Sequence, residues 1–369
     1  MKPKYMQIAF EEAEKARGFC SPNPFVGAVV VKDDEVIAQA HTQSYGLHHA
    51  EVMALNMAGE KAEGADLYVT LEPCSHHGKT PPCTEAIIKA GVKRVFFGIR
   101  DPNPKVNEDI SKDGAGIRAM REAGIEVSWG YMEEEIKRQN EYYLCRIRKG
   151  RPFVTLKMAL SLDGKFAAPD GTSKWISSAA SRAQVHVLRQ QVDCIMVGIS
   201  TVLADDPLLT SRIPFTQRQP LRVVLDKDLQ LPIDCALIKS MDQAGLMVFH
   251  APALGRKQLM KAAILRNMGV ELVPSGLDGS HLSLPKVLEH LHNKGFYSLL
   301  LESGGALASE FVRLRLVDKL LLYYGAKIIG GDKAALSSLD LGNIANAIKL
   351  DVRSCMVLDG DLVLEAYLK

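Results

Sequence analysis

Short apolar runs alternate with helix-like patterns along most of this chain, and one basic run at 148–152, Arg-Lys-Gly-Arg-Pro, interrupts them. Alternation of this kind predicts strands joined by helical crossovers, and therefore sheets with a parallel portion. The 369 residues also exceed the roughly 250–300 at which a single hydrophobic core stops growing. We therefore expect an α/β protein of two domains, residues 1–148 and 153–369, joined by a linker at 149–152.

The periodicity of apolar residues places individual elements on both sides of this interruption. In the first domain it predicts helix 5–17, strands 25–31 and 35–40, helix 50–58, strand 66–71, helix 84–90, strand 92–99, helix 117–123, strand 125–129 and helix 133–148. In the second domain it predicts strands at 153–160, 193–198, 221–226, 245–249, 270–273, 297–302, 317–328, 350–358 and 361–368. The end of the chain is therefore expected to be rich in strands.

Charge and hydropathy exclude several classes of protein. The formal net charge is only +2 and the basic residues are spread along the chain, unlike the basic patch of a dedicated nucleic-acid binder. No apolar run approaches the roughly 18 residues of a membrane span, and the N-terminus lacks the apolar region of a signal peptide. We expect a cytoplasmic protein without a membrane or nucleic-acid partner.

Seven cysteines in a chain without an export signal predict reduced thiols rather than a disulfide framework. Two of them, Cys74 and Cys83, each follow a proline beside a predicted element boundary. The others are expected to be small buried residues: Cys20, Cys145, Cys194, Cys235 and Cys355. Of the two tryptophans, Trp129 is expected in the core, whereas Trp175 fits either the core or a binding site.

Three residues form a possible zinc site. His49 precedes a predicted helix, Cys74 follows a strand, and Cys83 begins another helix. One imidazole and two thiolates leave the fourth tetrahedral position open for water, as in catalytic rather than structural zinc sites. Helix N-termini at His49 and Cys83 would stabilise negative charge. Glu51 would then move protons between that water and a departing amine, as in a hydrolytic deaminase.

Other residues compete for these roles. His48, His76 and His77 are possible ligands, but His48 has no Glu two residues later, and the other two lie beside Cys74 in a short loop, so we expect them in or around a pocket. Glu72 is expected to anchor a strand end rather than act as a base. A His-x-Glu pair alone is structural in most proteins, and only its combination with both Pro-Cys pairs indicates chemistry.

The pattern resembles the His-x-Glu and Pro-Cys-x-x-Cys motifs of the cytidine-deaminase-like superfamily, except that eight residues separate Cys74 from Cys83. The longer stretch TLEPCSHHGKTPPC at 70–83 resembles the deaminase half of the bifunctional enzymes of bacterial riboflavin biosynthesis, as do SPNPFVGAVVV at 21–31 and DPNPKV at 101–106. This resemblance implies a cytidine-deaminase-like α/β/α domain. It also implies these substrate-binding residues: Asn23, His41, Lys79, Asp101 and Asn103. Met53 departs from the family pattern, and 107–114 is an extended loop.

The second half resembles the reductase of the same enzymes in KMALSLDGK at 157–165, TSKWIS at 172–177 and VGISTVLADDPLLT at 197–210. The resemblance implies a dihydrofolate-reductase-like α/β domain that uses NADPH. The implied NADPH contacts are Ala159, Trp175, Thr201, Asp205, Gly304 and Gly305. The implied substrate contacts are Lys157, Ser173, Arg189, Leu209, Arg212 and Glu302. Asp163 is expected to shape the same site.

Two of these assignments have simpler alternatives. No GxGxxG motif is present, and the pair Gly304 and Gly305 is a common turn, although exposed amides at the start of a helix can hold a phosphate. Ser303 departs from the family's usual glutamate-glycine-glycine. Arg189 and Arg212 suit a phosphate because guanidinium binds it bidentately, but solvated arginines are the simpler interpretation.

The resemblance implies two reactions. One Zn²⁺ in the first domain would support deamination of 2,5-diamino-6-ribosylamino-4(3H)-pyrimidinone 5′-phosphate. The second domain would reduce the ribosyl chain with NADPH to give 5-amino-6-(5-phosphoribitylamino)uracil. The alternatives are another nucleotide or base deaminase fused to an unrelated NADP-binding domain, and a structural zinc module. The expected partners are small phosphorylated pyrimidines and further copies of the chain in a homo-oligomer.

Overall fold

The computed structural model describes residues 2–107, 109–110, 112–214, 216 and 218–369. The chain forms two compact units, Met1–Gly150 and Arg151–Lys369. In the described part of the chain, no helix is both long and apolar enough to cross a membrane.

The first unit contains one sheet and six α-helices among its described residues. In chain order the elements are α1 (Pro3–Glu14), β1 (Gly27–Lys32), β2 (Glu35–His41), α2 (Ala50–Ala58), β3 (Asp66–Leu71), α3 (Cys83–Lys89), β4 (Arg94–Ile99), α4 (Ala115–Glu122), β5 (Glu126–Trp129), α5 (Glu133–Gln139) and α6 (Glu141–Lys149). The strand order is β2-β1-β3-β4-β5. Strands β3, β4 and β5 are parallel, and β1 is antiparallel to both of its neighbours. The strands predicted at 25–31 and 35–40 pair as an antiparallel hairpin, and the predicted parallel portion of the sheet is confirmed.

One predicted helix of the first unit is wrong. The segment predicted as a single helix over 133–148 is divided at Asn140 into α5 and α6. The buried Asn140 side chain accepts from the Phe25 N–H at 2.7 Å and donates to the Phe25 carbonyl at 3.0 Å. The Asn140 backbone leaves the helical conformation (φ −101°, ψ 20°), and these bonds to a residue 115 positions away, which periodicity does not reveal, hold its side chain.

The second unit is built on a nine-stranded sheet. Its elements are β6 (Phe153–Ser161), α7 (Ala179–Gln191), β7 (Cys194–Gly198), α8 (Ile199–Asp205), β8 (Leu221–Leu225), α9 (Ala236–Lys239), β9 (Leu246–His250), α10 (Arg256–Asn267), β10 (Glu271–Pro274), β11 (Leu277–Asp278), β12 (His281–Leu282), α11 (Leu284–Asn293), β13 (Ser298–Glu302), α12 (Gly305–Arg313), β14 (Lys319–Gly325), β15 (Leu350–Leu358) and β16 (Asp361–Leu368). The sheet order is β10-β9-β8-β7-β13-β6-β14-β16-β15, and β11 pairs with β12 separately. The nine predicted strands are confirmed.

The apolar runs of this sheet follow from burial on both faces. Seven neighbouring strands, from β10 to β14, are parallel. Along β9, Met247 and Phe249 belong to one core cluster, whereas Leu246 and Val248 belong to the cluster on the opposite face. Because both faces are covered, these strands are continuously hydrophobic instead of alternating with polar residues.

Two expectations about buried residues are wrong. Trp129 is 37% exposed and stacks on Phe97 with ring centroids 5.5 Å apart, because it ends the edge strand β5. Cys355 is exposed because it lies on β15, the edge strand of the large sheet, whereas the four other cysteines expected to be buried are buried. Trp175 is 59% exposed, so its alternative as a core residue is also excluded.

Candidate active sites

Three elements of the first unit bring the predicted zinc ligands together. His49 is the residue immediately before α2, Cys83 is the first residue of α3, and Cys74 follows the end of β3. The His49 Nδ1 atom lies 3.2 Å from Cys83 Sγ and 3.6 Å from Cys74 Sγ. The three possible ligand atoms all lie within 4.8 Å of one another.

These separations fit a tetrahedral zinc ion. Zinc bonds of roughly 2.0 Å to nitrogen and 2.3 Å to sulfur place two such ligands about 3.5 Å apart. The backbone N–H of Cys83 also points at Cys74 Sγ, 3.4 Å away, so the first turn of α3 stabilises negative charge on that sulfur. His48, His76 and His77 are not part of this group of ligand atoms in the described residues.

The three ligand side chains hold protons very unequally. The hydrogen bond from Cys83 lowers the pKa of Cys74 to about 4, with a further contribution from His49 and against the effect of burial. The hydrogen bond with Cys74 raises the pKa of His49 to about 9. The contact with Cys74 and burial raise the pKa of the Cys83 thiol well above its usual range. A metal cation bound between the two sulfur atoms would favour deprotonation of both thiols.

Glu51 lies beside this ligand group in the first turn of α2 and is only 4% exposed. Burial raises the pKa of the Glu51 carboxyl, and the neighbouring His49 partly offsets that effect. Its side chain interacts with Cys83 rather than with solvent. A carboxyl in this position can exchange a proton with a molecule bound next to the ligands.

One edge of the five-stranded sheet, which we call the ligand edge, collects the other residues predicted to bind substrate. Strands β3 and β4 are parallel and end there, with Leu71 opposite Ile99. Strand β1 is antiparallel to β3, and its first residue, Gly27, pairs with His41 at the end of β2. Asp101 follows β4 at the same edge. Cys74 follows β3 there, so the predicted contacts and the ligands share this edge.

Asp101 is a buried carboxyl at the ligand edge. The Tyr143 hydroxyl donates to its two oxygens at 2.9 and 3.1 Å, and the Asn103 N–H donates to one of them at 2.9 Å. Burial raises the pKa of Asp101 to about 7, although both of these donors oppose the shift. Asp101 and Asn103 therefore form one rigid turn, and Tyr143 is a supporting residue that the sequence did not reveal.

The remaining predicted contacts are His41, at the end of β2, and the loop residues Asn23 and Lys79. His41 Nδ1 donates to the buried Glu12 carboxylate of α1 at 2.8 Å. The Lys79 ammonium lies 4.0 Å from the ring centroid of Tyr45, in the segment before α2. Asn23 lies four residues before β1. Glu12 was not predicted, because nothing in the local pattern of an amphipathic helix marks it.

A polar network fixes the segment that follows Asp101. Glu72 Oε2 accepts from Arg100 Nε at 2.7 Å, from the Asn107 side chain at 2.7 Å and from the Asp101 N–H at 3.1 Å. Glu72 therefore anchors the strand end, as expected. The segment 107–114 contains no helix or strand before Ala115 in its described residues, and Glu108 and Ser111 of this predicted loop lie outside them.

In the second unit, three of the predicted substrate contacts form one charged cluster. Glu302 ends β13 and lies opposite Lys157 of β6. Arg189 of α7 binds Glu302 through two hydrogen bonds, from Nε at 2.6 Å and from Nη2 at 2.9 Å. Burial would raise the pKa of Glu302, but the charge and hydrogen bonds of Arg189, together with Lys157, lower it to about 2. Burial lowers the pKa of the Lys157 ammonium.

The segment 209–212 lies against this cluster. The third nitrogen of Arg189, Nη1, donates to the Thr210 carbonyl at 3.1 Å. The exposed Arg212 contacts Nε2 of His186 on α7 at 3.1 Å. Leu209 is buried and has a positive φ of 53°. His186 was not predicted, although it precedes Arg189 by three residues and therefore shares its helix face.

The predicted NADPH contacts lie at the carboxyl edge of the same sheet. Ala159 is on β6, Thr201 and Asp205 are on α8 immediately after β7, and Gly304 follows β13. Strand β13 lies between β7 and β6, where the strand order reverses, which is the usual position for a ligand crevice in parallel sheets. These positions fit a bound dinucleotide.

Three further hydrogen-bonded contacts lie around the predicted NADPH site. The Lys174 ammonium donates to the Asp205 carbonyl at 3.3 Å, which brings the segment of Ser173 and Trp175 next to α8. The expectation of exposed amides at the double glycine is wrong for Gly305, whose N–H donates to the Ala335 carbonyl at 2.9 Å. Asp163 accepts from the Ile329 and Gly330 N–H groups at 3.0 and 2.7 Å, so it joins two loops.

Comparisons with known proteins agree with both sites. Residues 1–99 match the cytidine and deoxycytidylate deaminase zinc-binding region, and residues 152–364 match the RibD C-terminal domain. The riboflavin biosynthesis protein RibD of Aquifex aeolicus is 38% identical over 98% of this chain and 96% of its own length. The Escherichia coli RibD is 39% identical over 91% of this chain and 90% of its own length.

Solved structures give the same relationship. RibD from Acinetobacter baumannii superposes with a TM-score of 0.87 at 34% identity, covering 100% of this chain and 98% of that one. The Thermotoga maritima diaminohydroxyphosphoribosylaminopyrimidine deaminase/5-amino-6-(5-phosphoribosylamino)uracil reductase superposes with a TM-score of 0.84 at 36% identity, covering 100% and 98%. This chain therefore belongs to the RibD family of bifunctional deaminases and reductases of riboflavin biosynthesis.

Proposed function

We propose that this chain performs two consecutive reactions on one small phosphorylated pyrimidine. Residues 1–148 remove the exocyclic amine of 2,5-diamino-6-ribosylamino-4(3H)-pyrimidinone 5′-phosphate by hydrolysis. Residues 153–369 then reduce the ribosyl chain of the product to ribityl, and 149–152 link the two. The observation that carries this proposal is the pairing of a three-ligand zinc site and a buried carboxyl with a separate, cationic cluster at a ligand crevice.

In the deamination, we assign His49, Cys74 and Cys83 to the zinc ion, which when bound supplies Lewis-acid activation of the attacking water. Glu51 takes up the proton of that water and returns it to the departing amine. Because Glu51 is buried beside Cys83, it exchanges protons with the reacting groups and not with bulk solvent. Asn23, His41, Lys79, Asp101 and Asn103 orient the pyrimidine and its phosphate along the ligand edge.

In the reduction, NADPH when bound supplies the hydride. We assign Ala159, Trp175, Thr201, Asp205, Gly304 and Gly305 to its binding. The sugar lies against Lys157 and Glu302, with Ser173 and Leu209 beside it, and the phosphate lies against Arg212. Arg189 is also assigned to the substrate, and it holds Glu302 in place, since three of its five N–H donors bind Glu302 and the Thr210 carbonyl.

The direct test is incubation of the purified protein with the diaminopyrimidinone phosphate, with and without NADPH, and identification of the products by mass spectrometry. Without NADPH we expect ammonia and the deaminated product. With NADPH we expect that product to gain two hydrogens. Unchanged substrate in the presence of bound zinc would contradict the proposal, and deamination of cytidine nucleotides instead would favour the nucleotide-deaminase alternative.

The homo-oligomeric state and the cytoplasmic location stay predictions. Strand β15 supports the first of them, because it is a nine-residue edge strand whose exposed side chains include Val352, Met356 and Val357. An exposed, apolar edge strand can pair with another copy of itself. Light scattering of the full chain measures the oligomeric state directly.

A further inference from the structure

Helix α7 and the segment 209–212 are joined at three points, and two of them involve His186. The Ser211 hydroxyl donates to the His186 carbonyl at 2.8 Å. The third joint is the bond from Arg189 to the Thr210 carbonyl. Among hydrogen bonds of ordinary geometry in the described residues, the His186 ring makes one, with Arg212 through Nε2.

The chemistry of this contact determines the protonation of His186. A guanidinium group has donors and no acceptor, so Nε2 of His186 must accept the hydrogen bond from Arg212. The imidazole is therefore neutral, with its proton on Nδ1, which is buried and lacks a hydrogen-bond partner of ordinary geometry. Burial, followed by the charges of Arg189 and Arg212, lowers the pKa of His186, while Glu302 and the Thr210 carbonyl oppose that shift.

The same contact leaves most of the Arg212 guanidinium available to a ligand. Arg189 uses its three nitrogens on Glu302 and Thr210. Arg212 is exposed, and among the described residues His186 is its hydrogen-bonding partner through a single nitrogen, so its remaining donors face outward. A long exposed side chain would otherwise sample several rotamers, and a fixed acceptor removes part of that entropy cost before a ligand binds.

We propose that His186 is a positioning residue that holds the Arg212 guanidinium in the orientation that receives the substrate's phosphate. The inference rests on the proposed reductase function and extends it to a residue that contacts Arg212 and not the reacting atoms. This role requires a neutral imidazole. An imidazolium has no acceptor nitrogen for the Arg212 guanidinium, and its positive charge would repel that group.

The test compares His186→Leu, which removes the acceptor at similar volume, with His186→Gln, whose amide oxygen can replace Nε2. Arg212→Ala and the double variant His186→Leu/Arg212→Ala complete a double-mutant cycle. Binding of ribose 5-phosphate and of unphosphorylated ribose to each full-length protein is measured by calorimetry. KM and kcat are measured with the deaminated substrate.

We expect His186→Leu to weaken ribose 5-phosphate binding and raise KM by roughly tenfold, the size of a lost hydrogen bond to a charged group. Ribose binding and kcat change little, His186→Gln recovers most of the affinity, and the His186 substitution has no further effect when Arg212 is alanine. The wild-type KM also rises on acidification through the depressed pKa of His186, and His186→Gln flattens that dependence.

The outcomes separate this inference from the proposed function. Reduction of the deaminated substrate by the wild-type protein tests the function alone. If that reaction occurs, equal losses of ribose and ribose 5-phosphate binding in His186→Leu, or additive effects in the double variant, overturn the positioning role. A fall in kcat with unchanged KM also overturns it, since that result would place His186 in the chemistry itself.

Discussion

The zinc-ligand group of the first unit and the charged cluster of the second have opposite electrostatic character. Around His49, the neighbouring titratable groups are two thiols and a carboxyl, all of which become anions. Around Glu302, they are Lys157, Arg189 and, through His186, Arg212. The first group has more acidic side chains than basic ones, whereas the second has more positive than negative charge.

This difference indicates what each site binds. A buried group of potential anions is stable only when protons or a metal cation neutralise it, so the first site selects a cation. A buried cluster with excess positive charge is completed by an anion, and a phosphorylated sugar provides one. The two units therefore have opposite charge imbalances, which fit the proposed zinc ion in the first and the proposed phosphorylated substrate in the second.

Zinc removal is expected to have the largest effect. It should abolish the deaminase activity of the first unit and leave the reductase activity of the second unchanged. Treatment with a chelator, or the Cys83→Ser substitution, should abolish ammonia release, because the first removes the zinc ion and the second removes one of its three assigned ligands. Oxidation of NADPH with the deaminated substrate should continue. Cys355→Ser, at the exposed cysteine, is the control for thiol chemistry. Parallel loss of both activities would mean that the sites are not independent.

Glu51→Gln is expected to lower deaminase kcat by about 10²–10⁴-fold, because the variant keeps the shape of the side chain but cannot transfer the proton. Bound zinc, measured by elemental analysis, and the reductase rate should stay unchanged. The control is Glu85→Gln, another carboxylate in the first turn of a helix, with a side chain that is 61% exposed. Loss of zinc from Glu51→Gln would instead assign a structural role to the carboxylate.

Glu302→Gln is expected to destabilise the second unit by about 3–5 kcal/mol, because it leaves Arg189 and Lys157 without their buried counter-charge. The control is Glu310→Gln on α12, whose pair with Arg313 is exposed and contributes at most about 1 kcal/mol. Urea unfolding of both variants and of the wild type gives the difference. Similar values for the two variants would show that the buried pair contributes no more than a surface pair.

The ion pair between Glu302 and Arg189 also predicts that the stability of the second unit depends on pH. The pKa of Glu302 is lowered to about 2 in the folded chain from an ordinary value of 4.5. A lowered carboxyl pKa stabilises the fold above pH 4.5, and this contribution is lost as the pH falls towards 2. Unfolding measured across this range should show the loss in the wild type and not in Glu302→Gln.

Glu12→Gln is expected to have the smallest effect. The variant retains an acceptor for His41 but removes the negative charge, so KM for deamination should rise by about fivefold while kcat changes little. The adjacent Glu11→Gln, on the exposed side of α1, is the control, and steady-state kinetics of both variants provide the comparison. An unchanged KM would show that His41 needs no charged partner.

The two sites also differ in how far the sequence predicts them. The zinc ligands lie within 35 residues, at boundaries between elements that local apolar periodicity locates well, so their convergence at one sheet edge was predictable. The charged cluster joins Arg189 of α7 to Lys157 of β6 and Glu302 of β13, which are neighbours in a sheet whose order periodicity does not determine. Only the family resemblance pointed to these residues in the sequence.

The sequence by itself determined the alternation of strands and helices, the two-unit organisation expected from length, and a ligand set for zinc, because these depend on local pattern and on residue chemistry. The tertiary structure decided the break at Asn140, the exposure of Trp129, the bond that occupies the Gly305 amide, and the partners Glu12, Tyr143 and His186. Each of these depends on contacts between residues distant in the chain or on successive turns of a helix. Such contacts follow from strand order and packing, which no local pattern encodes.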